Sequence, residues 1–389
     1  MRRFVLCALL GLISIPQGVS GQSLFGSQGL GIPLDPLGAR ARALGSNGVG
    51  LLGPSLSSID LAAAARIFLP AVQFTMQPHW VDLSYGDESA STTGTRFPQM
   101  GLAYPVPKLN GTALLQFSSV FDQRWEVQQA STQELGGEEV SITDIFKSDG
   151  GISSVQLGWA QRVGDDLSLG FGIGTRIGSV TRRFTRLIDA EDLSGVSSYR
   201  SVGEWQYSGM SGSVGFQWDP IAALRLGGSL NWSGDIEANP QSGTEGDRAT
   251  FDIPTEFRLG ASGVLTPRLS LSLGLSFADW KSSGQFLDDG DVVGQVWSYG
   301  GGVEWAGPRM GSRNFPLRVG FKSTDLPFAF EGETPRETLF SGGIGLNLVP
   351  SGAGFIGVVD IALERGKREA GSLSETFSRA SLTFRVGSF

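Results

Sequence analysis

The sequence predicts an all-β fold, an antiparallel transmembrane β-barrel of about 14 strands with a small N-terminal plug, or hatch. Three observations carry that expectation. Residues 269–277 alternate without a break: Leu269, Leu271, Leu273, Leu275 and Phe277 share one face, and Ser270, Ser272, Gly274 and Ser276 share the other. Side chains alternate along a strand, so this one is oily on one side and small and polar on the other. Similar segments recur from about residue 70 to the C-terminal end, and their connections alternate between short turns and longer polar stretches. An immunoglobulin-like sandwich has no reason for that asymmetry, whereas an outer-membrane barrel has short periplasmic turns and long outer loops.

Bulk composition agrees. The chain has 389 residues, 57 of them glycine, with 40% hydrophobic and 17% charged. After the leader, no segment approaches the roughly 20 apolar residues of a spanning helix. A net charge of −8 argues against nucleic acid as a partner. Residues 1–21 read as a secretory signal peptide, with Arg2 and Arg3 as the basic tip, an apolar core after them, and Val19-Ser20-Gly21 as the cleavage site. The only cysteine, Cys7, lies in that core, so no thiol chemistry is expected in the mature chain.

Residues 22–66 read as the plug. Leu51, Leu52, Leu56, Ile59 and Leu61 make this stretch too apolar for a solvated tail. A short helix is expected over 56–65, capped by Ser57 or Ser58, with Asp60 in its first turn.

Residues 67–389 form the barrel. Strands are expected at 70–85, 95–105, 111–128, 150–163, 167–183, 203–219, 222–235, 250–265, 268–283, 293–306, 315–325, 337–349, 353–366 and 376–388. Short turns fall at 105–111, 164–166, 219–220, 266–267, 307–315 and 350–353, and the two large outer loops at 129–150 and 184–201. Arg225, Arg258, Glu304 and Arg318 should face inward, because a lipid-facing charge costs about 2–4 kcal/mol at mid-bilayer. Trp80, Tyr104, Trp125, Trp159, Trp205, Trp218, Trp232, Trp280, Trp297 and Trp305 lie near strand ends and are expected in interfacial girdles.

Little in the chain points to catalysis. His79 is the only histidine, and nothing singles out partners that would make it a base, so it reads as a lumen or interfacial residue. There is no Cys/His cluster, and neither a metal nor a cofactor is expected. Asp288-Asp289-Gly290-Asp291 lacks the ligand order of a calcium loop and reads as a solvated tip. Arg176, Arg182, Arg183 and Arg186 form a basic run where a strand leaves the membrane, suited to solvation, to lipid phosphates or to a ligand carboxylate.

Several stretches resemble the FadL-like family of outer-membrane channels for fatty acids and hydrocarbons. They include Ile253-Pro254-Thr255-Glu256-Phe257-Arg258-Leu259-Gly260 with its close at Asp279-Trp280. Leu317-Arg318-Val319-Gly320-Phe321-Lys322, Leu326-Pro327-Phe328 and Ser341-Gly342-Gly343-Ile344-Gly345-Leu346 resemble the family's late strands. Gly366-Lys367-Arg368 with Glu375-Thr376-Phe377 looks like the family's final hairpin, and Ala39-Arg40-Ala41-Arg42-Ala43-Leu44-Gly45 like its opening segment. The resemblance implies a 14-stranded barrel with an N-terminal hatch, an outer landing groove, an inner pocket and a sideways exit at a kinked third strand. Two departures matter. Where the family carries Asn-Pro-Ala-Ala in the hatch, this chain has Asp60-Leu61-Ala62-Ala63. Terminal Phe389 is off by one from the phase shared by Leu382, Phe384 and Val386, which a bulge near Gly387-Ser388 would repair.

The function expected is passive uptake of hydrophobic small molecules such as long-chain fatty acids, by a monomeric, non-enzymatic barrel in outer-membrane lipid. Burial stabilises a ligand by roughly 0.8 kcal/mol per methylene, enough to capture long chains without energy input. Leu44, Asp60, Leu61 and Ala62 are the expected gate, and Phe184, Leu187 and Ile188 the expected outer landing loop. The alternative is a non-transporting barrel that docks a secretion or envelope partner.

Overall fold

The structure is a computed structural model that describes residues 23–135, 138–189, 198–281, 294–310, 313–348 and 355–388. The expected signal peptide, residues 1–21, and the expected tip at Asp288–Asp291 lie outside the described residues.

Fourteen antiparallel strands form the wall. β1 is Ala71–Tyr85, β2 Glu88–Val106, and β3 Gly111–Asp122 continued by Trp125–Leu135. β4 is Glu138–Val163, β5 Leu167–Asp189 and β6 Tyr199–Ile221. β7 is Leu224–Ser233 continued by Ile236–Pro240, and β8 is Ala249–Phe251 continued by Glu256–Thr266. β9 is Leu269–Asp279, β10 Gln295–Trp305, β11 Leu317–Asp325, β12 Arg336–Leu348, β13 Phe355–Ala370 and β14 Leu373–Ser388. Each pairs with its sequence neighbours, and β1 pairs with β14 from Ala71↔Gly387 to Tyr85↔Leu373, which closes the ring. Closure joins the first and last strands, so the sheet has no terminal edge strand.

The faces divide as the alternation requires. On β9, Leu273 is 55% exposed while its neighbour Ser272 is 6% exposed. Leu259, Val319 and Leu363 are likewise exposed, and Arg225, Arg258 and Arg318 are buried inside. An oily exterior and a polar bore are the reverse of a soluble protein, and they suit a lipid-embedded barrel. No described helix is long and apolar enough to cross a membrane. Trp80, Tyr104, Trp218, Trp232, Trp297 and Trp305 stand exposed on the outer surface, as girdles require. Trp205 and Trp280 do not: they pack against an inner apolar cluster that includes Phe121, Ile152, Val180 and Tyr207.

The first expected outer loop is largely strand, and so are residues 184–189 and 199–201 of the second. Residues 125–135 pair with 138–148, and β4 pairs with β5 up to Ser141↔Asp189. Phe184, Leu187 and Ile188 therefore sit on a strand and not in a loop. The basic run expected where a strand leaves the membrane is part of the ladder: Arg186 grips Asp144 across it at 2.6 and 2.7 Å, and Arg182 lies 5.6 Å over the Trp205 ring.

Candidate functional site

Residues 23–66 run along the bore from the outer end toward the periplasmic end. Ser23 donates to Glu375 at 2.6 Å, and Phe25 stacks 6.1 Å from Phe328, both at the outer rim. Leu61 packs against wall glycines near the opposite end, and Arg66 pairs with Asp219 at 2.5 Å by a periplasmic turn. Between them lies a helical turn, Ala39–Ala43.

Wall glycines make room for this segment. Gly260 of β8 and Gly227 of β7 are paired across the ladder. A Cβ on Gly260 would stand 2.7 Å from the Val49 carbonyl carbon, and one on Gly227 would stand 2.7 Å from Gly50 N. Real Cβ atoms do not approach so closely, so only glycine admits the backbone there.

Ion pairs fix the same segment. Arg258 reaches Asp35 at 2.7 Å, and Lys322 pairs with the other Asp35 oxygen. Burial alone would raise the Asp35 carboxyl, but these two cations hold it well below the usual carboxylate range. Arg40 and Arg318 share Glu304, and Arg318 also holds Asp360 at 2.6 Å.

Above the helical turn lies a cavity of about 220 Å³. Its upper lining is apolar, with Leu34, Phe121, Ile253, Ala278, Trp280 and Leu326. Its other lining residues include Arg96, Arg176, Arg258, Lys322, Glu337 and Arg379. Glu337 joins Arg379 at 2.7 Å and Arg368 at 2.6 Å, which leaves those cations committed. Arg176 differs: among the described residues its buried Nε has no hydrogen-bond partner and it makes no ion pair, although Glu256, which also lines the cavity, acts on it electrostatically.

The wall opens beside this cavity. β2 and β3 pair only from Gln99↔Ser118 to Val106↔Gly111, so among the described residues no ladder joins them above that point. β3 itself is interrupted at Gln123 and Arg124. Side chains bridge the seam instead: Arg96 meets Asp122 at 2.7 Å, Arg124 donates to the Thr95 carbonyl at 3.3 Å, and Ser119 to the Phe97 carbonyl at 3.0 Å. The two-residue strand Ile32–Pro33 pairs with Asp122 and Phe121 on the inner side.

The sequence-predicted site residues are divided between two places. Leu44, Asp60, Leu61 and Ala62 are all buried in the N-terminal segment, and none lines the cavity. The helical piece there is a 3-10 turn, Leu61–Arg66, with Asp60 as its cap, not Ser57 or Ser58. Asp60 accepts from Ala63 N and Gly50 N, both at 3.2 Å, and from Gln217 at 2.7 Å. Burial outweighs these donors and raises its carboxyl to about 6. Phe184 packs 5.0 Å from Phe146 and 6.2 Å from Tyr199, away from the cavity. His79 is buried inside the barrel, and neither ring nitrogen has a hydrogen-bond partner. The cavity residues Arg96, Phe121 and Glu337 were missed; an inward phase was their only signal.

No protein-family profile and no curated protein matches the sequence. Solved structures match the fold along almost its whole length. A FadL homologue from Pseudomonas aeruginosa shares 14% identity with a TM-score of 0.61, over 93% of this chain and 99% of that one. The Ralstonia pickettii toluene transporter TbuX shares 15% identity with a TM-score of 0.59, over 92% and 99%. The monoaromatic hydrocarbon channel CymD shares 12% identity with a TM-score of 0.55, over 91% and 97%. The chain has the fold of these FadL-type outer-membrane channels.

Proposed function

We propose that the protein is a passive channel for hydrophobic small molecules, long-chain fatty acids among them, with residues 22–66 as its plug. The observation that carries this reading is the two-sided cavity, apolar along Leu34, Phe121 and Trp280 and cationic at Arg176. A fatty acid would lay its chain on the apolar side and its carboxylate on the Arg176 guanidinium, whose Nε is free and whose charge it would share with Glu256. It would leave through the seam between β2 and β3, where side chains stand in for a ladder. Leu44, Asp60, Leu61 and Ala62 act in this reading as the floor that must shift for passage to the periplasm. Phe184, Leu187 and Ile188 offer an apolar approach at the outer rim.

The test is uptake of labelled fatty acid by proteoliposomes holding the wild type, Arg176→Met, and a form lacking residues 22–66. Arg176→Met should lower uptake of the acid and leave its methyl ester unchanged, and the truncated form should leak both. Equal uptake of the acid by wild type and Arg176→Met would refute the assigned carboxylate site. No uptake above empty liposomes by any form, with the barrel folded, would refute the channel.

A further inference from the structure

The wall has a second interruption, on the seam between β7 and β8. Ladder pairing reaches Asn231↔Glu256 and resumes at Ile236↔Phe251. Residues 232–235 thus face 252–255 with no ladder pair between them among the described residues. At roughly 3.4 Å per residue, the flanking pairs are about 17 Å apart along the strands. Pro254 has no N–H to offer a ladder, so its presence keeps the seam unzipped. β9 parts from β8 at the same height, since Asp279 pairs onward only with Gln295 of β10.

An outward groove of about 620 Å³ lies over this interruption, with Trp232, Phe257 and Phe277 among its walls. Trp232 and Phe257 are 47% and 49% exposed, so their faces are available to a ligand. Ser233, Ile253 and Pro254 line both this groove and the inner cavity. The two spaces therefore share a thin wall built from three side chains that no ladder holds together.

We propose that this seam is a second side passage, and that the groove binds uncharged apolar molecules as they cross between the inner cavity and the outer part of the bilayer. Charge selects the ligand class. The charged residues lining the groove are Asp235, Asp252 and Asp279, all carboxylates. An anionic headgroup would meet like charge in a partly desolvated mouth, whereas the inner cavity offers it Arg176. The two openings thus sort ligands, with amphiphilic anions held to the inner route and neutral compounds admitted at the side. The direction of use rests on the channel reading above, but the groove itself is tested by binding.

The experiment uses the full chain in proteoliposomes with two photo-crosslinking probes, a diazirine-bearing aryl hydrocarbon and the same compound carrying a carboxylate. Mass spectrometry should find the neutral probe on Trp232, Phe257 or Phe277, with the carboxylate at least about tenfold weaker there. Replacing the three acids together, Asp235→Asn, Asp252→Asn and Asp279→Asn, should admit the carboxylate. Gly234→Trp fills the groove without touching the cavity lining, and it should lower uptake of the neutral probe while leaving the carboxylate unchanged. Phe257→Ser, which removes bulk, serves as a second groove variant and should weaken neutral labelling. Neutral labelling confined to cavity residues, or equal labelling of the wild-type groove by both probes, would overturn the binding site. Unchanged neutral uptake in a folded Gly234→Trp barrel would overturn the passage. Failure of the channel reading looks different: wild-type liposomes take up neither probe, yet groove labelling remains readable.

Discussion

Substituting the glycines that seat the N-terminal segment tests how that segment is held. In Gly260→Ala the new methyl would stand 2.7 Å from the Val49 carbonyl carbon and closer still to its oxygen. Backbone on one side and a hydrogen-bonded ladder on the other leave nothing flexible to give way. Overpacking of this kind costs about 1–3 kcal/mol, and about 2 kcal/mol changes a docked-to-undocked ratio by roughly thirtyfold. The strand itself should not suffer, since alanine is no worse than glycine in a sheet. Gly227→Ala presses on Gly50 from the facing strand, and because the two sites share a neighbour their effects should not simply add. The assay is trypsin cleavage at Arg42, which is buried at 7% exposure in the seated segment, with heat-modifiable gel mobility to confirm that the barrel is folded. Gly263→Ala on the same strand is the control, because a Cβ there meets only Ala223 O at 3.7 Å. Cleavage in Gly260→Ala no faster than in Gly263→Ala, with both barrels folded, would refute the seating.

Other outcomes follow from the same geometry. Arg258→Met strands Asp35 with Lys322 as its one remaining partner in that pair of contacts; breaking a largely buried pair costs about 3 kcal/mol, so Arg42 should become accessible to trypsin without loss of the barrel. Asp60 has a carboxyl raised to about 6 from 3.8, so its protonated form favours the folded state. That contribution is complete below pH 3.8 and is lost as pH rises to and through 6; the wild-type segment should loosen between about pH 4 and 6 relative to Asp60→Asn, measured as the ratio of their amide hydrogen-exchange rates. Leu273→Arg places a charge on the lipid face of β9 and should destabilise the barrel by about 2–4 kcal/mol in urea titration if that position lies at mid-bilayer.

The wall was legible because alternation is a local property. Leu269 to Phe277 declare their face within nine residues, and β9 appears where they place it. The break in β3 was legible only through the resemblance, which implies a kinked third strand; from the residues alone, Asp122 and Arg124 acquire meaning only when Arg96 arrives from β2. The outer hairpins were misread for a related reason. Arg182 and Arg186 look like loop solvation until Trp205 and Asp144 stand across the ladder from them. The cavity was hidden most completely. Phase tells that Arg96, Arg176 and Glu337 point inward, but their height in the bore depends on strand register, which no single segment encodes. Leu44, Asp60 and Leu61, the residues expected to form a gate, stand out for their motif, and the structure buries them outside the cavity lining.

The path of residues 23–66 constrains how the molecule can be assembled. They lie inside a ring whose last join is β1 to β14, and they lead directly into β1. A finished cylinder would have to be threaded lengthwise by a chain bearing a helical turn and several paired charges. The simpler order has the wall wrap around a tail already laid along it, with the join between the first and last strands made afterwards, so the tail serves as a mandrel for the cylinder that then encloses it.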